Sequence, residues 1–174
     1  AEVKYSFGRN GNFRMTEFQA ALLMSQMKGI KERAEVRSNN GAYLTSLLAE
    51  IPGIYPAKQY SGCTRNAYHL YMFRYDPNEF EGLPRNRFVN ALRAEGVPCS
   101  PGYGPLNKDR FLMDALHSEP YVRVYGQQAI DEWPERNQCP ENDKVCEQAV
   151  WFYQTVLLTD RTRMEQIAAA IQKI

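Results

Sequence analysis

Apolar residues fall on nearly every side of the helix that the spacing predicts between Phe18 and Met27, whereas the later helical runs keep a polar face. Thr16-x-x-Gln19 supplies the box of side chains that satisfies the free amides of a first helical turn, so a helix is expected to start at Thr16 and run to Gly29. An apolar circumference argues for burial between layers. A second periodic run follows, with Ile30, Ala34, Leu44, Leu47, Leu48 and Ile51 near helical spacing and charges crowded into its first half, and Pro52-Gly53 stops it. Residues 54–65 read as a loop. Residues 67–76 read as an aromatic-rich strand ended by Asp76-Pro77-Asn78, and Arg85 to Glu95 as an amphipathic helix with Phe88, Val89, Ala91 and Leu92 inward.

Val97 to Ser100 reads as a short edge strand, because Pro98 cannot donate to a ladder. Pro101-Gly102-Tyr103-Gly104-Pro105-Leu106-Asn107 cannot be regular structure, and it carries one aromatic at its centre. A short helix over 110–116 and a long polar connection over 117–137, anchored by Tyr121, Tyr125 and Trp133, come next. A helix over 143–150, a strand over 151–158 and a capped amphipathic helix over 160–174 complete the chain. Together these elements predict a small α/β sandwich with helices on one face of a short antiparallel or mixed sheet. By pattern the two leading helices stand outside it.

Composition narrows the function classes. With 21 Lys+Arg against 20 Asp+Glu the net charge is +1, which gives no electrostatic reason to expect nucleic acid or an anionic membrane surface as a partner. No apolar run approaches the ~18 residues that span a bilayer, and no basic-then-apolar leader opens the chain, so a soluble, cytoplasmic protein is expected. Cys63, Cys99, Cys139 and Cys146 lack a C-x-x-C pair, and there are two histidines, so no metal site is expected and free thiols are. The first residue is not Met, which suggests a chain that begins inside a longer protein or one whose leading part was removed.

The polar loop Gly8-Arg9-Asn10-Gly11-Asn12 runs into the first helix, whose backbone donors favour anions. On the residues alone, Asn12 either braces that turn or reaches a phosphate. Arg14 either pairs structurally with a carboxylate such as Glu17 or serves the same site.

The run Gly11-Asn12-Phe13-Arg14-Met15-Thr16-Glu17-Phe18-Gln19-Ala20-Ala21 closely resembles the G-N-Y-R-M-T-E-x-Q-A-A segment of the DegT/DnrJ/EryC1/StrS aminotransferases. The resemblance continues through Ala67 to Tyr75, Phe88 to Val97, Tyr103-Gly104-Pro105-Leu106 and Ala149-Val150-Trp151 to the final helix, and it covers the carboxyl-terminal part of the family. It implies the aspartate aminotransferase fold, pyridoxal 5'-phosphate (PLP) as cofactor, a homodimer, and transfer of an amino group from an amino acid donor to a keto-sugar, inosose or related cyclic ketone. The resemblance also implies that residues 1–28 belong to the large cofactor domain, 29–51 to an interdomain helix, and 52–174 to the small domain. Asn12 falls on the asparagine that reaches the cofactor phosphate of the neighbouring subunit, with Arg14 beside it. Tyr103 and Asn107 fall on the substrate loop, where many sugar-handling relatives carry H-Y-x-P-L-H. Both histidines are absent here, which looks more like the aminocyclitol and aminohydroxybenzoate branches. Gln154 likewise stands where a histidine is common.

A transaminase needs a lysine that forms the imine with its cofactor and shuttles the proton. In the family it lies in a Ser-x-x-x-x-Lys segment upstream of the matched region. No lysine here has that context, so no catalytic residue is assigned, and the expectation is a fragment that cannot turn over alone. The alternative is a stand-alone interaction or regulatory domain derived from such an enzyme. A self-sufficient domain would not expose the apolar circumference of Phe18 to Met27.

Overall fold

The computed structural model describes residues 14–174. Helix α1 spans Glu17–Met27, and Thr16 caps it as the pattern predicts: Gln19 N donates to Thr16 Oγ1 at 3.2 Å, and Thr16 N donates to Gln19 Oε1 at 3.0 Å. Its expected burial is not found. No residue of α1 is buried, because no other element of the described chain packs over it.

Helix α2 spans Ile30–Leu48 and changes character along its length. Its charged first half is largely exposed. Leu44 and Leu48 are fully buried, so the second half belongs to the sandwich, against the pattern reading that set both leading helices outside it. Asn40 is also buried there, and its Nδ2 donates to Leu157 O at 2.9 Å and Thr159 O at 2.7 Å. Gly41 lies under Tyr68; a Cβ at this position would stand 2.6 Å from the ring's Cζ.

The sheet has four strands, β1 (Ile54–Pro56), β2 (Leu70–Tyr75), β3 (Cys99–Pro101) and β4 (Ala149–Tyr153), in the order β1-β2-β4-β3 with every pairing antiparallel. Strand β1 falls inside the stretch read as a loop. The period of two then sorts the side chains. Tyr71, Phe73, Tyr75, Cys99, Val150 and Phe152 turn to one face and enter a single core. In that core they meet Leu44 and Leu48 of α2, Phe88, Val89 and Leu92 of α3 (Arg85–Ala94), and Met164, Ile167 and Ile171 of α9 (Arg161–Lys173). Each full burial of this kind stabilises by roughly 1.5–3 kcal/mol. Stacked rings reinforce the core, with Tyr75 and Phe88 centroids 4.2 Å apart.

Three other expectations change. The connection over 117–137 is helical: α4 (Arg110–Leu116) is followed by α5 (Glu119–Tyr125), α6 (Gln127–Asp131) and α7 (Trp133–Arg136), with Leu116 and Ile130 buried apart from the main core. Helix α8 spans Pro140–Gln148 and ends before Ala149, whose ψ of 134° already belongs to the strand. Finally, β4 stops at Tyr153, and Gln154–Leu158 is a 3₁₀ turn, so Gln154 is not in a strand. The expected edge strand is present two residues late, as β3.

Candidate functional site

The 101–107 loop is held against the outer face of β4. Gly102 N donates to Ala149 O at 2.8 Å, and a Cβ on Gly102 would stand 2.6 Å from the Ala149 Cβ, so only glycine lets the loop lie this close. The next residue, Tyr103, is 70% exposed, yet its ring rests on the buried Trp151 with centroids 4.5 Å apart. Trp151 lies on the sheet face opposite the main core. It is therefore a platform for the loop and not part of the helix-covered layer.

Tyr103 forms one wall of an open cleft of about 290 Å³ whose other residues include Arg85, Lys108, Asp143 and Glu147. Arg85 Nη1 donates to Cys146 O at 2.6 Å and Ala149 O at 3.0 Å, pinning α8 and β4 together, and burial lowers its pKa. Lys108 Nζ donates to Asp143 Oδ2 at 2.8 Å. Asp143 Oδ1 and Trp151 Nε1 are buried with no hydrogen-bond partner among the described residues. A phenol, an ammonium and a carboxylate on one rim can hydrogen-bond a small hydroxylated ring.

Of the residues expected from sequence, Tyr103 thus lines a polar cleft. Asn107 is tied down: its Nδ2 donates to Asn137 O at 2.8 Å, so its amide braces the loop against α7. Asn12 lies outside the described residues. Arg14 is exposed and lines a separate depression with Met15, Gln19, Leu22 and Leu23, so the described residues do not bring it into the Tyr103 cleft. His69 is exposed just before β2, and Arg74 donates from Nη1 to Gln148 Oε1 at 3.2 Å while lying over the Tyr55 ring.

Arg85, Lys108, Asp143 and Trp151 were not singled out from sequence as site residues. One signal was present: an arginine in the first turn of a helix opposes the helix dipole, so its position wants another explanation. Burial against two carbonyls supplies it.

All six lysines among the described residues are exposed, and Lys108, Lys144 and Lys173 pair with Asp143, Glu141 and Glu95. None is buried among the described residues. Among them no cluster of His, Cys, Asp and Glu could hold a metal, no helix is long and apolar enough to cross a membrane, and all four cysteines are free.

Comparison with known proteins bears on the rest. The model of the DegT/DnrJ/EryC1/StrS aminotransferase family matches residues 3–172. The L-glutamine:2-deoxy-scyllo-inosose aminotransferase of Streptoalloteichus tenebrarius is 33% identical over 161 residues, 92% of this chain and 37% of the relative. The enzyme of the same description from Streptomyces kanamyceticus is 30% identical over 161 residues, with the same two coverages. Among solved structures, 3-amino-5-hydroxybenzoic acid (AHBA) synthase superposes with a TM-score of 0.71 at 26% identity, over 98% of this chain and 43% of that one. The chain spans about two fifths of the length of each of these proteins.

Proposed function

Because the chain belongs to the DegT/DnrJ/EryC1/StrS aminotransferase family, we propose that it is the carboxyl-terminal part of a PLP-dependent enzyme that transfers an amino group from an amino acid to a cyclic ketone. The observation that carries this reading is an unbroken family match over 3–172 in a chain that covers only 37% of its inosose-aminating relatives. Their names give L-glutamine as donor and an inosose as acceptor, and the same pair is proposed for the whole enzyme here. The histidine-free loop around Tyr103 supports an unphosphorylated ring substrate over a nucleotide sugar.

In this reading residues 1–28 belong to the cofactor domain, 29–51 to the interdomain helix and 52–174 to the small domain, in a cytoplasmic homodimer. Asn12 and Arg14 approach the cofactor phosphate of the second subunit. PLP, when bound, supplies the electron sink for amino transfer, and the residues that hold its ring lie outside this chain. What this chain supplies is a wall of the substrate site. The Tyr103 hydroxyl hydrogen-bonds and orients the ring, Trp151 fixes the height of that phenol, and Asn107 holds the loop through Asn137. The exposed apolar surface of α1 fits a helix that the rest of the enzyme covers.

Titration of the purified chain with PLP, followed by absorption spectra, borohydride reduction and intact mass, tests the division of labour. No adduct is expected. A reduced lysine adduct with an aldimine band would overturn it. In a chain extended toward the amino terminus, glutamine-dependent amination of an inosose is expected. Tyr103→Phe there should raise KM about tenfold, the equivalent of ~1.4 kcal/mol for one lost hydrogen bond.

A further inference from the structure

The helices over 110–136 line a second, half-open cavity of about 450 Å³, away from the Tyr103 cleft. Its walls are apolar and aromatic: Leu116, Tyr121, Tyr125, Ile130 and Trp133, with Arg136 at its edge. Ile130 and Leu116 are buried here but take no part in the main core, and Tyr121 and Tyr125 stack on each other with centroids 6.0 Å apart. The size lies within the range of small-molecule sites, roughly 300–1,000 Å³.

The charge arrangement is informative. Glu132 stands four residues before Arg136, the favourable order for a helical ion pair. That pair is not made: Glu132 Oε1 accepts from Gln128 Nε2 at 2.8 Å, and the Arg136 guanidinium has no ion pair or hydrogen bond to a side chain or carbonyl of the described residues, although its backbone N donates to Glu132 O at 3.2 Å. Asp131 similarly accepts from Gln127 Nε2 at 2.8 Å and lies 3.8 Å from His117 Nε2. The Asp131 and Glu132 carboxylates are thus engaged by neighbours, and the exposed Arg136 guanidinium lines the cavity free to meet an anion there. A planar guanidinium beside three aromatic rings suits a planar ring that bears an anionic group, the ring packing on the aromatics and the anion taking the fork of donors.

We propose that this cavity is a binding site for a small aromatic anion, a carboxylate or a phosphate, separate from the Tyr103 cleft. The two are mechanically connected. Asn137, which follows α7 on the cavity rim, accepts through its carbonyl from Asn107 of the Tyr103 loop at 2.8 Å, so occupancy bears on the position of that loop.

Benzoate, phenyl phosphate and the neutral benzamide, titrated into the full chain by calorimetry and by one-dimensional ligand-observed NMR, test it. At least one of the two anions should bind saturably and benzamide at least tenfold more weakly. Arg136→Gln should weaken the anion at least tenfold, and Ala129→Phe, which fills the cavity, should abolish binding. Tyr103→Phe should leave it unchanged. Far-ultraviolet circular dichroism identical to the parent shows that a variant has folded. No saturable binding of either anion, equal binding of benzamide, or binding that survives both Arg136→Gln and Ala129→Phe would overturn the proposal. Loss in Tyr103→Phe alone would also overturn it, by placing the probe in the other cleft. The PLP titration above is independent of each of these outcomes.

Discussion

Helices α1 and α9 start in the same way and end in opposite surroundings. Thr16 and Asp160 each accept, through a side-chain oxygen, from the backbone N–H three residues on, Gln19 and Arg163. Both helices are rich in apolar residues. In α9 those residues fall on one face, and Met164, Ile167 and Ile171 are fully buried. In α1 they fall all round, and Phe18 remains 75% exposed. The difference teaches that an apolar pattern states a demand for cover without saying which chain meets it. An amphipathic helix is answered by its own domain, because its polar face tolerates water. A helix with no polar face needs neighbours on several sides, and the described residues, arranged as one small sandwich, offer none.

The largest effect that separates the two helices is a core deletion. Ile167→Ala is expected to cost about 2–5 kcal/mol of unfolding free energy through lost burial and the cavity left behind, whereas Leu22→Ala should change it by less than about 0.5 kcal/mol. Urea titrations of both variants at low protein concentration provide the measurement. A comparable loss in Leu22→Ala would break the comparison and mean that α1 is covered in solution. Stability that rises with concentration would then identify the cover as a second copy.

Next in size is Asn40→Ala, which sharpens the boundary within α2. Removing the amide strips partners from the carbonyls of Leu157 and Thr159, and a buried polar atom left unsatisfied costs about 1–3 kcal/mol. Glu35→Ala, in the exposed first half of the same helix, should cost nothing measurable in the same titration.

How far the chain could be read beforehand follows the same division. Helices α3, α4 and α9 were legible almost to the residue because punctuation marks their ends: Pro84 and Gly96, Asp109, Asp160. The junction between α8 and β4 has no such mark, and an apolar run through Ala149-Val150 continues either element equally well. Helices α5, α6 and α7 are four to seven residues each, too short for a period of 3.6 to declare itself, so they read as a polar connection. Strand β1 is three residues, the last of them a proline. Tyr103 was legible as a site residue because its loop cannot be regular, while Arg85, Asp143 and Trp151 come together only through the tertiary fold. No local spacing could have joined them.

A smaller effect compares the two caps directly. Asp160→Ala should lower global stability by about 1 kcal/mol, since α9 melts with the core. Thr16→Ala removes the same kind of bond from α1, yet it should reduce only local helicity, seen by amide exchange in the first turn, and leave the global midpoint in place. Equal shifts from the two variants would show that α1 unfolds cooperatively with the sandwich.

The smallest effect lies at alkaline pH. Burial pushes the Cys99 thiol from its ordinary 9.0 up to about 11, against the opposing influence of Arg93. Burial also pushes the Tyr75 phenol from 10.0 up to about 12, with Asp76 adding to the shift. Both groups stay neutral in the folded chain at pH values where the unfolded chain has ionised them. The unfolded state therefore binds fewer protons, and stability falls as pH rises. The thiol's contribution is intact below about pH 9 and lost as pH climbs to about 11. Cys99→Ala, although less stable overall, should show a shallower loss over that interval in urea midpoints taken at successive pH values. Thiol labelling adds an internal control, because exposed Cys63 and Cys139 should react at once while Cys99 waits for unfolding. A Cys99 that labels as fast as Cys63 would mean that the layer between α3 and β3 opens under native conditions, and the contrast between a sealed core and an uncovered α1 would no longer hold.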